Sequence, residues 1–282
     1  MTYEQTILLL GGTGKTGVRV AKKLTGIGLP VRTAARHSGD VRFDWDDVTT
    51  HGEALENVDR VYLIAPVMRT RFASQVSAFL DLAEAAGVRH VTFMSAYGME
   101  HASAEVALRA VELDLQGRSQ LTSSIIRPAW FMQDFSETFL VPVDGAIVVA
   151  TGDGAEAFVD AEDIAAVVAA TLTNPQSHEG AEYSPTGPQA LTVSEAASTI
   201  SRVTGQAVRH VNVDRRSWVE AVIASGVPVE YGEVLDLLAE TIASGRGSRP
   251  NSDIEKVTGT PATNFADFAQ RTVAAWNGGA AQ

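Results

Sequence analysis

Residues 8–17, "LLLGGTGKTG", carry two overlapping phosphate-binding spellings, and each implies a different chemistry. A triphosphate-binding loop needs G-x-x-x-x-G-K-[ST], with its first glycine five positions before the second. Counting back from Gly14, that position is Leu9, so the loop is too short to wrap a triphosphate in this way. Gly12, Gly14 and Gly17 instead match G-x-G-x-x-G, and Gly11, Gly14 and Gly17 match a G-x-x-G-x-x-G variant. Glycines at this spacing permit a tight turn and let backbone approach a pyrophosphate, whose charge rests on the first N–H groups of the following helix. An NAD site usually adds an acid about 20 residues further on, to hold the ribose 2′-hydroxyl. Here the second strand pattern ends "TAARHSGD", with Arg36 and no acid at its tip. Arg36 can grip a 2′-phosphate in bidentate fashion and Lys15 can add charge from the loop; the competing reading is an arginine solvated at the strand end. The expected cofactor is therefore NADP (NADPH) in preference to NAD.

The proton-transfer machinery is less complete. Ordinary short-chain dehydrogenases use Tyr-x-x-x-Lys, in which the lysine makes the tyrosine a proton donor to a forming alkoxide. Four residues after Tyr3, Tyr62, Tyr97, Tyr183 and Tyr231 come Ile7, Pro66, His101, Gly187 and Leu235, and none is lysine. Reducing a ketone then lacks its proton source. Reducing an iminium does not need one, because hydride turns C=N⁺ directly into a neutral amine and the site has only to bind and orient. Tyr97 and His101 are the candidate catalytic residues, with Ser95 as a further polar contact. The competing readings are packing for Tyr97 and a solvated helix start for His101. The stretch "PAWFMQDF" supplies Trp130, Phe131, Met132 and Phe135, which suit a flat, apolar, cationic small-molecule substrate. Core packing is the commoner fate of such residues, so one or two of them are expected to face a pocket. No metal site is expected: the six histidines show no H-E-x-x-H spacing and there is no cysteine.

The elements that must position these groups follow from hydrophobic patterning. Residues 6–10, 30–36, 41–45, 60–66, 89–96 and 123–129 read as strands. Helical stretches fill 15–26, 70–86 and 101–115, and in the second Val76, Phe79, Leu80 and Ala83 form one apolar stripe. This alternation predicts an α/β chain: a doubly wound parallel-sheet Rossmann fold with a smaller, mostly helical C-terminal substrate region. Residues 1–130 are expected to bind NADP, and 131–282 to form a substrate-binding region folded onto them, with a soft boundary. In that second half, 146–152 reads as a strand. Residues 160–173, 191–205, 215–224 and 230–244 read as helices, with Asp160 and Thr192 as N-caps and Gly205 as a stop. Residues 246–251 read as a loop, and the terminal "NGGAAQ" is expected to fray.

Composition narrows the partners. The 282 residues carry 22 basic and 34 acidic side chains, a net charge of −12, which argues against nucleic acid and against an anionic membrane surface. No apolar run approaches the length of a membrane span, and the start of the chain lacks a signal-peptide pattern, so a cytoplasmic protein is expected.

These motifs together carry a family resemblance. "ILLLGGTGKTG", "IIRPAWFMQDF", "FVDAEDIAAVVAATL" and "EYSPTGPQALTVSEAASTIS" resemble the NmrA-like atypical short-chain dehydrogenase/reductase family over nearly the whole chain. "VRFDWDD" and "VYLIAPV" look closest to the branch of ergot-alkaloid festuclavine and agroclavine dehydrogenases. The resemblance implies that Gly11, Gly12, Thr13, Gly14, Lys15 and Thr16 wrap the pyrophosphate and that Arg36 meets the 2′-phosphate. It places Asp44 and Trp45 beside the adenine, Ala65 and Pro66 along the ribose, and Ser95, Ala96 and Tyr97 near the nicotinamide. Asp134 and Ala129 depart from the Asn and Gly frequent in relatives. The function expected is NADPH-dependent hydride transfer to a small iminium or conjugated substrate without a Tyr-x-x-x-Lys pair. Quinone or enone reduction is the enzymatic alternative. A non-catalytic NADP-sensing regulator with a protein partner is the alternative outside enzymes.

Overall fold

The first strand, β1 (Thr6–Leu10), is buried at Ile7, Leu8, Leu9 and Leu10, the signature of a strand covered on both faces. The structure, a computed structural model, describes residues 6–277. The end of the stretch expected to fray, residues 278–282, lies outside the described residues. After β1 a six-residue turn enters α1 (Gly17–Gly26), and then come β2 (Val31–Ala35), β3 (Val41–Arg42), β4 (Val58–Ile64), β5 (His90–Met94) and β6 (Thr122–Ile126). All pair in parallel, in the order β3-β2-β1-β4-β5-β6, and the short strand Glu182–Tyr183 adds a seventh at the β6 edge. The order reverses between β1 and β4. Open sheets of this kind bind ligands outside the carboxyl ends of the strands at that reversal.

Packing follows the predicted periodicity. On helix Ala73–Ala85 the stripe Val76, Phe79, Leu80 and Ala83 is fully buried and joins Leu8, Leu10, Leu63, Val91 and Phe93 in one core. Helix Ala161–Thr173 packs against α1, where Arg19 and Lys23 pair with Glu162 at 3.4 and 3.3 Å. Two expected strands are shorter than their apolar patterns. Of residues 41–45 only Val41–Arg42 pairs with β2, because aspartates then turn the backbone: Asp46 N–H donates to Asp44 Oδ1 and Thr49 N–H to Asp47 Oδ1. Of residues 146–152 only Ala146–Val148 is strand, paired with Arg209–Val211. The strand Glu182–Tyr183 gave no sequence signal, since two residues show no alternation.

The chain forms two compact units. The first runs to Pro128 and takes back residues 161–185 and 256–259; the second holds 129–160, 186–255 and the remainder from 260. In the second, Phe135, Phe158, Phe265 and Phe268 form a ring cluster beside helix Val193–Thr204. That helix opens on a capping box, Thr192 Oγ1 accepting from Glu195 N–H while the Glu195 carboxylate accepts from Thr192 N–H. It closes on Gly205 at φ +71°. No described helix is long and apolar enough to cross a membrane.

One buried group ties this fold to pH. His90, on β5, is almost wholly buried, with Thr122 Oγ1 2.8 Å from its Nδ1. Burial, then the nearby His178 and Arg60, push its imidazole down from the ordinary 6.5 to about 4. The depressed value makes protonation favour the unfolded chain. The stability this provides is complete above pH 6.5 and is lost as pH falls from 6.5 to 4, about 3 kcal/mol in all. Denaturant unfolding across that window should show the loss, and His90→Gln should flatten the slope by about one proton.

Candidate functional site

The turn after β1 divides its glycines by job. Gly11 takes φ +63°, the left-handed conformation that lets the chain leave the strand sharply. A Cβ on Gly12 would fall 2.7 Å from Thr33 Cβ, and one on Gly17 would fall 2.2 Å from the Gly11 carbonyl oxygen. Those two positions are bare because strand, turn and helix pack too closely for a side chain. Gly14 is different. It is exposed, and a Cβ there would meet only the Gly11 oxygen, at 3.2 Å. The fold does not require a glycine at that point, whereas a pyrophosphate lying on the mouth of α1 does. The residues present therefore fit a dinucleotide. Thr13 is exposed, Lys15 half-buried and Thr16 buried. Thr16 Oγ1 accepts a 2.9 Å hydrogen bond from the Tyr62 hydroxyl, which anchors the cradle to β4. Burial pushes the Tyr62 phenol up, which keeps it protonated as a donor at neutral pH.

Arg36 stands exposed just past β2. The turn behind it is closed by Asp40, whose Oδ2 accepts from Thr33 N–H at 2.8 Å and Thr33 Oγ1 at 2.7 Å. Those two bonds hold the Asp40 carboxyl below its ordinary range. Among the described residues the Arg36 side chain makes no hydrogen bond or ion pair within 4 Å, and the nearby Asp46 is instead bound in bidentate fashion by Arg69. Asp44 and Trp45 sit on a knot of rings in which Phe43, Trp45, His51 and Phe79 lie 4.7–5.9 Å apart. His51 Nε2 is 3.0 Å from the Asp44 carbonyl. Ala65 and Pro66, at the end of β4, are buried.

Beyond β5 the backbone is stitched to β6, with Ser95 N–H donating to the Ile126 carbonyl at 2.8 Å and Tyr97 N–H to Pro128 at 3.1 Å. Ala96 is half-buried and Tyr97 is 36% exposed. Gly98, at φ +82°, then turns the chain into a short 3₁₀ segment, Met99–His101, and the α-helix begins only at Ala107. An i, i+4 pair stacks its side chains only on an α-helix. Tyr97 and His101 are not on one, and the His101 side chain is 86% exposed, 3.9 Å from Glu100.

Sequence reasoning missed a buried charge network beside Ser95. Glu112, fully buried on helix Ala107–Gly117, receives Arg127 at both oxygens (Nε–Oε1 2.8 Å, Nη2–Oε2 2.9 Å) and Arg109 Nη1 at 2.7 Å. Ser95 Oγ donates to Glu112 Oε1 at 2.5 Å. Arg127 also reaches Glu182 Oε2 at 2.6 Å and Glu100 Oε2 at 3.5 Å. Burial alone would raise the Glu112 carboxyl, but the bonds from Arg127, Ser95 and Arg109 outweigh it and hold it below its ordinary range. Burial would likewise lower Arg127, yet Glu112 and Glu182 keep it raised. The signal was available: Glu112 lies between the apolar positions Val111 and Leu115, and Arg127 ends an apolar strand. A charge in either place needs a buried partner.

The aromatic stretch lies in the second unit. Met132 and Phe135 are buried in its core, so their surface is committed to packing. Trp130 and Phe131 are half-buried. The Trp130 carbonyl accepts from Val159 N–H at 2.8 Å, and its own N–H donates to the buried Glu156 at 3.4 Å.

Comparison with known proteins matches residues 3–276 to the model of the NmrA-like family. The uncharacterized oxidoreductase YesF of Bacillus subtilis is 32% identical over 286 residues, covering 98% of each chain. Agroclavine dehydrogenase of Claviceps fusiformis is 29% identical over 289 residues, 96% of this chain and 98% of that one. Among solved structures, the Citrobacter sp. triphenylmethane reductase complexed with NADP(H) superposes with a TM-score of 0.72 at 22% identity, over 95% of this chain and 99% of that one.

Proposed function

We propose, from the premise that this chain belongs to the NmrA-like family, that it is an NADPH-dependent oxidoreductase that reduces a small iminium or conjugated substrate. The observation that supports the reading is a glycine turn left open at Gly14 over the mouth of α1, at the sheet's reversal point, beside a β5 terminus without a helical tyrosine–lysine pair. Bound NADPH supplies hydride; everything else is the work of the chain. Gly14 and the first N–H groups of α1 receive the pyrophosphate, Thr16 is steadied by Tyr62, and Arg36 takes the 2′-phosphate. Asp44 and Trp45 border the adenine, Ala65 and Pro66 the ribose, and Ser95, Ala96 and Tyr97 the nicotinamide end. Tyr97 and His101 contribute polar contacts without acting as an armed acid. Trp130 and Phe131, whose surface is not wholly committed to packing, are the substrate-facing members of the aromatic stretch.

The test is NADPH consumption against cyclic imines, quinones, enones and simple ketones. Imines should turn over well, ketones poorly, and the pH profile with imines should follow protonation of the substrate's own nitrogen. Tyr97→Phe should lower imine turnover only within about fivefold, because an essential general acid contributes about 10²–10⁴-fold. A loss of a hundredfold or more with NADPH binding intact overturns the iminium reading in favour of a carbonyl or enone substrate. Activity confined to quinones makes the chain a quinone reductase.

A further inference from the structure

The network around Glu112 has a polarity that bears on which substrate the site accepts. A hydroxyl owns one proton and two lone pairs. The proton of Ser95 goes to Glu112 Oε1, and Glu112 is kept ionised by two arginines. What Ser95 still has to offer is acceptor capacity. The charges behind it sum the same way: Glu100, Glu112 and Glu182 carry three negative charges against the two positive charges of Arg109 and Arg127. Glu100 Oε2 is buried and without a hydrogen-bond partner among the described residues, its contact with Arg127 being an ion pair at 3.5 Å. A site with this surplus resists an oxygen on which negative charge is growing and welcomes a cation.

We propose that Ser95, turned into a pure hydrogen-bond acceptor by Glu112, is the residue that makes the site selective for a cationic substrate, an iminium carrying its charge on nitrogen, over an uncharged isostere. This rests on the reading of the chain as a reductase and names the substrate charge that Ser95 selects. In hydride transfer the iminium carbon gains the hydride, the C=N π pair becomes the nitrogen lone pair, and the cofactor is left oxidised. The positive charge leaves the substrate, no proton moves, and the Ser95 hydroxyl keeps its bond to Glu112 throughout.

The test reads a ratio in the NADPH-saturated protein, with ligands that cannot accept hydride. Calorimetry measures affinity for a protonated cyclic secondary amine, whose N⁺–H groups can donate to Ser95, and for its uncharged carbon isostere, in wild type, Ser95→Ala and Ser95→Thr. The wild type should prefer the cation. Ser95→Ala should cut that preference about tenfold, the worth of one charge-assisted contact, and Ser95→Thr, which keeps the hydroxyl, should restore it. If Ser95 merely joins β5 to the neighbouring helix, Ser95→Ala weakens both ligands equally, the ratio stays fixed, and the proposal falls. Because this measurement needs no turnover, it separates two failures. A protein that reduces no imine yet shows the Ser95-dependent ratio loses the proposed reaction and keeps the cation site. A protein that reduces imines with an unchanged ratio keeps the reaction and loses the role of Ser95.

Discussion

Gly14→Val should abolish NADPH binding and leave the protein folded. A Cβ at position 14 would meet only the Gly11 carbonyl oxygen, at 3.2 Å, so the turn accommodates it with a shift of a few tenths of an ångström. The cost falls on the ligand, since the valine methyls fill the space over the mouth of α1 where the pyrophosphate must approach backbone. We expect a loss of at least about a hundredfold in affinity, equivalent to about 2.7 kcal/mol, with an unchanged circular dichroism spectrum and melting temperature. Gly17→Ala is the contrast. Its Cβ would lie 2.2 Å from the Gly11 oxygen and 2.7 Å from Gly12 Cα, both backbone, so helix and turn must part. That variant should lose stability together with binding. Fluorescence titration of NADPH, paired with thermal melts, separates the two. A folded Gly14→Val protein that still binds NADPH would remove the turn from the cofactor site.

Arg36→Ala should weaken NADPH by about 10- to 100-fold and leave NADH nearly unchanged. The loss of a charge-assisted contact to a phosphate is worth about 1.5–3 kcal/mol. Geometry supports the assignment: Arg36 stands past the end of β2, on a turn closed by Asp40, while Arg69 occupies the competing carboxylate of Asp46. Raising salt should narrow the gap between the two cofactors, because the phosphate contact is exposed and screened. Equal losses for NADPH and NADH would disprove a role at the 2′-phosphate.

Much of the cofactor half was legible before any coordinates. Glycine spacing is a local signal, and so are the apolar runs that became β1 to β6, because backbone conformation and strand burial are settled by near neighbours in the chain. The position of Arg36 just past the second strand was legible for the same reason. Relationships across the sheet were not. Glu112, Arg127 and Glu182 are separated by 15 and 55 residues and meet only once the parallel order is set. Met132 and Phe135 show the converse: apolar residues of the right kind for a substrate wall were spent on a core whose other members, Phe158 and Phe265, lie far along the chain. His101 was expected at the start of a helix over 101–115, but a left-handed Gly98 leads into a short 3₁₀ segment and the α-helix begins only at Ala107.

The first unit is discontinuous in sequence, and this decides how the gene can be recombined. A fragment ending at Pro128 encodes β1 to β6 but omits Glu182, to which Arg127 binds, and Leu172, whose carbonyl accepts from Arg60. It also strips β6 of its outer neighbour, leaving the apolar pair Ile125 and Ile126 on a bare edge open to pairing with other chains. The first unit is thus no portable cassette. Shuffling between relatives at the residue 128 boundary splits one compact unit, and crossovers that exchange 1–128 should carry 161–185 and 256–259 with them.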